Sequence, residues 1–161
     1  MKKKLIVRIA NGLGNQLFLY ASAYAFAKQL DRELLIDEES GFLNEKRKIK
    51  YELNSFKITS QIAERKYKFN SSLKNLERSL LKKLDIFSQS KKFLIEKKNK
   101  KKETEFSNKY FEQKYKNIIF LEGYFQSEKY FIKYKEDLLK EFNFKDEIKK
   151  HNQDIQNLIL N

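Results

Sequence analysis

The sequence contains no cysteine, no proline and no tryptophan, and it has only four glycines and a single histidine, His151, in 161 residues. Without cysteine the chain forms neither a disulfide framework nor a thiolate metal site, and a reducing compartment fits this composition. A single histidine excludes a site built on several imidazoles and a Ser-His-Asp triad elsewhere in the chain. Without proline there is no rigid linker to mark a boundary. We expect one domain over residues 1–161, with no metal and no other cofactor.

Acidic residues are few relative to basic ones. Thirty-five Lys and Arg stand against 22 Asp and Glu, a formal net charge of +13, and the 14% aromatic content argues against wholesale disorder. This balance keeps open a basic nucleic-acid-binding module, although no recognition-motif signature appears. Between Lys91 and Lys102 there are seven lysines and one glutamate. We expect residues 91–105 to form an exposed basic excursion, with contact to anionic lipid or glycolipid as the alternative to a solvated loop.

Long apolar runs are also missing. The run between Gln16 and Lys28 has only 11 residues, which is too short to span a membrane. Arg8 interrupts the apolar run near the N-terminus before it reaches the length of a secretory signal. The expected location is therefore cytoplasmic, with peripheral attachment at the inner face of the membrane as the alternative.

The first forty residues predict a β-turn-α-β unit. Lys4 to Ala10 is nearly continuous in apolar residues, Asn15 to Leu30 has a small-residue stripe at helical spacing, and Glu33 to Asp37 is a second strand. The crossover makes the two strands parallel neighbours. The predicted fold class is α/β, a Rossmann-like parallel sheet with flanking helices. The later elements are predicted as a short strand or extended loop at Tyr51 to Ile58, a helix over 61–90, a strand from Asn117, a helix from Gln126 and a final helical piece at Lys145 to Asn161.

The turn between the first strand and the first helix contains Gly12 and Gly14, followed at once by Asn15 and Gln16. Glycines here allow a ligand to approach the backbone, and the first amides of a helix favour an anion. The pattern is neither the dinucleotide fingerprint, because Leu17 stands where its third glycine belongs, nor a P-loop. The residues alone leave two alternatives open: an anion-binding turn, or a tight turn that packs the helix on the sheet.

Four stretches resemble a known family in the same order along the chain. The string GLGNQLFLYASAYAFAKQL closely resembles the N-terminal signature of the bacterial alpha-1,2-fucosyltransferases, glycosyltransferase family 11. The stretches LLIDEESGF, YELNSFKI and LEGYFQSEKYF follow in family order, so the resemblance covers Leu5 to about Phe144. Two departures are local: Asn11 replaces the usual first glycine and Leu19 the usual glutamine. Asparagine tolerates the left-handed backbone, so the turn is still expected.

The resemblance implies a two-lobed, inverting GT-B enzyme that moves L-fucose from the donor substrate GDP-fucose to the 2-hydroxyl of a galactoside on a surface glycan. Carried over by position, the donor-binding residues are Gly12, Leu13, Gly14 and Asn15, with Gln16 as a hydrogen-bonding neighbour. The acceptor-cleft candidates are Tyr124 and Gln126; the competing interpretation is that Ser127 caps the next helix and that Phe125 and Phe131 fill the core. Asp37 and Glu122 lie at or just past the ends of predicted strands, where helix-capping or surface roles are favoured, and no general base is assigned.

One family motif is missing from these 161 residues. The family carries a His-x-Arg-Arg-x-Asp motif whose arginine holds the donor pyrophosphate, whereas the only histidine here begins HNQD and no two of the five arginines are adjacent. We therefore expect residues 1–161 to be the N-terminal lobe alone, without the nucleotide-binding second lobe, and to be inactive by themselves. The alternatives left open are the basic nucleic-acid-binding module, with nucleic acid not the favoured partner, and a folded but inactive truncated remnant.

Overall fold

The first strand lies at the centre of a parallel sheet. Three of its successive residues are fully buried: Leu5, Ile6 and Val7. The computed structural model describes residues 2–96 and 105–150. Within them the strands are β1 Lys4–Arg8, β2 Glu33–Asp37, β3 Gln61–Ile62, β4 Lys91–Ile95 and β5 Tyr115–Glu122. They form one sheet in the order β3-β2-β1-β5-β4, and every pairing is parallel. This is the predicted α/β class, with a sheet consistent with a Rossmann-like fold.

Helices lie between and after the strands. The α-helices are α1 Leu13–Gln29, α2 Ser72–Asp85, α3 Lys109–Glu112 and α4 Lys135–Glu141. Single 3₁₀ turns occupy Leu53–Ser55, Arg65–Tyr67, Glu128–Tyr130 and Ile132–Tyr134, and residues 146–150 are helical. None of the helices in the described ranges is both long enough and apolar enough to cross a membrane.

The two faces of β1 bury their side chains in different clusters, because successive residues of a strand point to opposite sides. Leu5, Val7 and Ile9 join the cluster that contains α1. Ile6 belongs to a second cluster, with Phe93 of β4 and Phe120 of β5. Continuing this alternation places the last residue of β1, Arg8, and the last residue of β5, Glu122, on the side of Ile6 and Phe120. The structure therefore brings two charged side chains together at the carboxyl ends of neighbouring strands.

Helix α1 is buried on most of its surface. The small stripe predicted from the sequence is present, since Ala21 and Ala25 are almost wholly inaccessible. The opposite side packs against aromatic rings, with Phe26 stacked on Phe111 at 4.5 Å between ring centroids. Ser22 donates to the backbone carbonyl of Phe125 over 3.1 Å, which satisfies its buried hydroxyl. Close approach to the sheet fixes where the N-terminus of α1 lies.

The winding of the sheet reverses beside β1. β1 pairs with β2 from Lys4 opposite Glu33 to Arg8 opposite Asp37, as the β-turn-α-β pattern predicts. On its other side it pairs with β5, which arrives much later in the chain. In open α/β sheets ligands bind outside the carboxyl ends of the strands at such a reversal. The ends of β1 and β5 are therefore the place to look for a site.

Several sequence predictions require correction. The excursion predicted for 91–105 is wrong at its start, because Lys91–Ile95 is strand β4 with Phe93 and Leu94 buried; residues 97–104 lie outside the described part. The helix predicted over 61–90 is shorter, since 61–62 pair with β2 and α2 spans only Ser72–Asp85. The helix expected from Gln126 is two 3₁₀ turns followed by α4. Of the final helical piece, residues 151–161 lie outside the described ranges.

Candidate functional site

The turn from β1 into α1 is short and has an unusual backbone. Asn11 adopts φ 66°, in the left-handed region, as its replacement of a glycine suggested. Gly12 follows with φ −69° and ψ 168° as the residue before the helix, and the amide of Gln16 donates to its carbonyl over 3.1 Å. Gly12 has no side chain with which to cap the amides of the first turn, and that turn contains no acidic residue. The turn therefore presents uncapped donors at the carboxyl edge of the sheet.

The two glycines of this turn face open space. A Cβ atom built on Gly12 or on Gly14 would meet no other atom within 4 Å, and neither residue has a positive φ. Close packing of helix on sheet therefore does not require glycine at either position. Gly41, in the loop after β2, is the opposite case, because its Cβ would lie 1.7 Å from the carbonyl oxygen of Ile9. Close packing therefore accounts for the glycine at Gly41, but it does not account for the glycines of the turn, Gly12 and Gly14.

Gln16 holds the turn in place. Its side chain is fully buried, and Nε2 donates to the carbonyls of Asn11 over 2.7 Å and of Lys50 over 2.8 Å. Its Oε1 accepts the amide of Glu52 over 2.9 Å. With both donor hydrogens used inside the chain, Gln16 acts as a positioning residue for the turn and not as a direct contact to a ligand.

Asn15 and Gln126, predicted from two separate motifs, are in contact. The Nε2 of Gln126 donates to Oδ1 of Asn15, across 111 positions of sequence. The loop carrying Gln126 is strained at Phe125, which adopts φ 47°, while Gly123 at φ 152° adopts a conformation open to glycine. Glu96 holds this loop by accepting the amides of Tyr124 and Phe125, each over 2.7 Å. Tyr124 and Gln126 are exposed beside the turn, so the donor and acceptor candidates share one surface.

A charged group lies next to the turn at the end of β1. Arg8 donates from Nη2 to the carbonyl of Ser40 over 2.7 Å. Asp37, at the end of β2, accepts the amides of Glu39 and Ser40 over 3.2 and 2.9 Å. It is 1% exposed and stands before a loop, so the helix-capping or surface role predicted for it is wrong. Burial lowers the pKa of Arg8 from its ordinary value, while Glu122 and Asp37 oppose that shift. Arginine nevertheless remains charged at any physiological pH.

Glu122 is buried in an ion-pair cluster, so the helix-capping or surface role predicted for it is wrong. Its Oε2 accepts from Arg78 Nη1 at 2.6 Å and from Lys82 Nζ at 2.7 Å. Burial acts to raise the pKa of Glu122, but the positive charges of Lys82, Arg78 and Arg8 outweigh it and the pKa is lowered. Glu122 is therefore ionised at neutral pH, and the cluster of Arg8, Asp37, Arg78, Lys82 and Glu122 carries one excess positive charge.

Unpartnered polar atoms are concentrated in this place. Among the described residues, six buried side-chain N or O atoms have no hydrogen-bond partner. Five of the six lie at or just after the ends of β1, β2 and β5: Arg8 Nε, Asp37 Oδ2, Glu38 Oε2, Ser40 Oγ and Glu122 Oε1. Native proteins rarely bury such atoms without a reason, and binding sites are a common reason. An open cavity of about 200 Å³ adjoins them, lined by Arg8, Ser40, Gly41, Leu43, Asn44, Glu45, Asn75 and Arg78.

These features suit a polar, negatively charged or hydroxyl-rich ligand. The uncapped amides of the turn, the amide of Asn15 and the two arginines are donors, and Asp37 and Glu122 are acceptors for hydroxyl groups. No group of three or more His, Cys, Asp or Glu side chains suited to a metal ion occurs in 2–96 and 105–150. The arrangement can bind and orient such a ligand through donors and acceptors of the chain itself.

Sequence reasoning found part of this site and missed the rest. It named the turn from Gly12 to Gln16 and the loop residues Tyr124 and Gln126, which the structure places at one edge. It missed Arg8 and Ser40 as site residues, although a charge that ends a buried strand is a detectable signal. It also missed Arg78, which nothing local distinguishes from the other basic residues of α2. Leu13 is half-buried and packs against the α1 cluster, so only its backbone amide faces the turn.

The fold and this edge define an α/β protein with an all-parallel sheet and a polar candidate site at the carboxyl ends of its strands. No family model matches the sequence, and neither the curated proteins nor the solved structures contain a match. The interpretation of the site therefore depends on its own geometry and on the resemblance of its motifs to the fucosyltransferase signature.

Proposed function

We propose that this chain is the N-terminal, GT-B-type lobe of an alpha-1,2-fucosyltransferase, and that its carboxyl edge meets GDP-fucose and a galactoside acceptor. The observation that carries the proposal is the contact between Asn15 and Gln126. These residues belong to two of the four stretches that resemble the family. Their meeting is what a shared donor and acceptor cleft requires.

The chemistry of fucosyl transfer explains why such donors are useful. The bond from fucose C1 to the β-phosphate oxygen breaks, the galactoside 2-hydroxyl oxygen bonds to C1, and GDP leaves with increased negative charge. Preorganised amide and cationic donors stabilise that charge as it develops. The hydroxyl proton requires a base, and no residue of this chain is assigned to that role.

Each part of the edge has its own task in this proposal. The open amides of Leu13, Gly14 and Asn15 face the donor diphosphate or fucose. Arg8 supplies a fixed positive charge at the reversal of the sheet. Tyr124 and Gln126 line the acceptor side, where an aromatic ring and an amide suit a sugar. Gln16 keeps the turn in the conformation that makes its amides available.

The test is a titration of the isotope-labelled chain, followed by NMR, with GDP-fucose and a galactoside together. We expect saturable shifts at millimolar concentration in the amides of Gly12 to Asn15 and in the side-chain signals of Arg8 and Gln126. A few hydrogen bonds of roughly 0.5 to 1.5 kcal/mol each support little more than millimolar affinity, which needs about 4 kcal/mol.

The matched control is single-stranded RNA, titrated at several salt concentrations. In the nucleic-acid alternative, RNA binds tightly with a steep salt dependence and the shifts spread over surface lysines. RNA binding of that kind, with no response at the turn to the sugar ligands, would contradict the proposal.

A further inference from the structure

The loop after β5 is held by a carboxylate from the neighbouring strand. Glu96 stands one residue past β4, and its amide donates to the carbonyl of Glu122 over 3.1 Å, which extends the pairing of β4 with β5. Its Oε2 accepts the amides of Tyr124 and Phe125, each over 2.7 Å. Successive amides that converge on one point in a turn form a concavity that binds anions. The chain fills this concavity with its own side chain.

The approach of Glu96 explains two features of the loop backbone. A Cβ atom on Gly123 would lie 2.6 Å from Cβ of Glu96 and 3.1 Å from its Oε2, so a side chain at this position would displace the carboxylate. Phe125 adopts φ 47°, which is strained for a bulky residue, and such strain persists only where the surroundings hold it. The hydrogen bond from the Phe125 amide to Glu96 is one of the contacts that hold it.

Phe125 is also fixed from the side of α1. Its ring is fully buried and lies edge-on to the ring of Phe26, at 5.5 Å between centroids. Its carbonyl accepts the hydroxyl of Ser22 over 3.1 Å. The ring, the carbonyl and the amide of Phe125 therefore each have a fixed partner. Because Glu96 holds the preceding amide as well, the direction in which the chain continues to Gln126 is set.

That direction places Gln126 against the first turn of α1. Nε2 of Gln126 donates to Oδ1 of Asn15, so this oxygen is turned to the loop. In a planar amide the nitrogen lies on the other side of the group from the oxygen, and both of its hydrogens are donors. Asn15 therefore engages its acceptor with the loop and turns its donor, Nδ2, away from it. A donor is what the negative charge of a diphosphate requires.

We propose that Glu96 is a positioning residue for Asn15. Its carboxylate holds the loop that carries Gln126, and Gln126 holds the Asn15 amide with Nδ2 available to the diphosphate of the sugar donor. Glu96 acts through the loop and does not itself contact a ligand. The purpose of this arrangement rests on the fucosyltransferase proposal, whereas the coupling from Glu96 to Asn15 is a property of the chain alone.

The experiment is NMR of the isotope-labelled 161-residue chain without ligand, for the parent, Glu96→Ala and Glu96→Gln. Hydrogen exchange at the amides of Tyr124 and Phe125 should accelerate roughly tenfold or more in Glu96→Ala, because each amide loses a bond to a charged acceptor. The nuclear Overhauser effect between the side chains of Asn15 and Gln126 should disappear. Glu96→Gln keeps an acceptor oxygen without its charge, so it should retain that contact and accelerate exchange only about threefold.

Two further variants separate the steps of the coupling. Gln126→Ala should change the side-chain signals of Asn15 but leave exchange at Tyr124 and Phe125 as in the parent, because the loop keeps its carboxylate partner. The matched control is Glu64→Ala, at an exposed glutamate two residues past β3, the strand at the opposite edge of the sheet. This variant should alter neither the loop amides nor Asn15.

Titration with GDP-fucose tests the purpose of the coupling. The ligand concentration at half of the maximal Asn15 shift should rise roughly fivefold or more in Glu96→Ala and less than about twofold in Glu96→Gln, since one donor to a charged group is misplaced only in the first.

Two results would overturn the proposal. The first is a Glu96→Ala chain that keeps both the contact between Asn15 and Gln126 and parent-like exchange at the loop amides. The second is loss of that contact in Glu96→Gln as fully as in Glu96→Ala, because the carboxylate would then not act as an acceptor that glutamine replaces. A parent chain whose signals respond to neither sugar ligand would contradict the proposed function instead, and the ligand-free contact and exchange would still decide the role of Glu96.

Discussion

Replacing Glu122 by glutamine should destabilise the protein strongly with almost no change in side-chain shape. Glutamine keeps one acceptor oxygen but removes the negative charge that Arg78 and Lys82 share at 2.6 and 2.7 Å. The Arg78 side chain is only 13% exposed and the Lys82 side chain 30%. Two positive charges would then face each other near Arg8, and Asp37 would be the one acidic residue left in the cluster.

The magnitude follows from burial. Removing one partner of a buried ion pair typically costs about 3 to 5 kcal/mol, because the remaining charge is left uncompensated. Lys82 is exposed enough to turn its ammonium toward water, which places the expected loss near about 3 kcal/mol for Glu122→Gln. For a protein of ordinary stability that is a large fraction of the total.

The pH dependence gives this prediction a sign. The pKa of Glu122 is lowered in the folded protein, so its stabilising contribution is fully present above the unfolded value of 4.5 and is lost as the pH falls through the folded value. Urea unfolding of parent and variant should therefore differ most at pH 7 and converge toward pH 3. As a control, Glu64→Gln removes an exposed pair whose side chains are 62% and 63% accessible, and the urea midpoint should not move.

This reasoning would be refuted if Glu122→Gln unfolded within about 0.5 kcal/mol of the parent at pH 7, the range typical of an ordinary surface change. A deficit that stayed constant down to pH 3 would also refute it, because the loss would then not come from the charge.

The remaining predictions concern the turn and the loop that packs beside it. Gly14→Ala should raise stability by roughly 0.5 to 1 kcal/mol, measured by urea unfolding, because a helical glycine is replaced where a Cβ meets nothing, yet it should weaken sugar-ligand binding if a ligand needs that space. Gly41→Ala should destabilise, since its Cβ would collide with the Ile9 carbonyl; a neutral result in thermal melts would contradict this close packing. Gln16→Leu should cost about 1 to 3 kcal/mol by leaving buried backbone groups unpaired, with an unchanged melting temperature as the contrary outcome. Asn15→Ala, in a chain completed by a second lobe, should lower turnover ~10²-fold with little loss of stability, whereas lower stability at unchanged turnover would favour the packing role.

Local pattern predicted the centre of the sheet well. β2 spans the predicted residues, and β1 and α1 differ from their predicted bounds by two residues or fewer at each end. These elements are short-range and strongly patterned, so nearby residues decide them. β4 was missed because Phe93, Leu94 and Ile95 are only three apolar residues between Lys92 and Glu96, and it is pairing with β5 that makes them a strand. The pairing joins residues that are far apart in the sequence, so the local pattern around β4 does not predict it.

The candidate site divides in the same way. The turn was predictable because its glycines and amides are contiguous, and Asn11 was correctly expected to tolerate a left-handed backbone. The cluster of Arg8, Arg78 and Glu122 was not, because those residues meet only when β1, β5 and α2 pack together. Whether Arg78 reaches Glu122 depends on the orientation of α2. The leucines of α2 recur at helical spacing, which ordinarily indicates a face turned to the core: Leu73, Leu76, Leu80 and Leu84. In this protein those leucines are exposed, because Arg78 and Lys82 on the other side of α2 pair with the buried carboxylate of Glu122.

The central claim, that these residues are the N-terminal lobe of a fucosyltransferase, is tested most directly by an assay of fucose transfer. The purified 161-residue chain is incubated with GDP-fucose and a galactoside, in parallel with the same chain carrying the second lobe of an alpha-1,2-fucosyltransferase fused after Asn161. The account predicts no transfer by the short chain and a 2-linked fucosyl product from the fusion, since the 161 residues lack the arginine motif that holds the donor pyrophosphate in the family. Robust transfer by the short chain, or a folded fusion that binds neither ligand and makes no product, would contradict it.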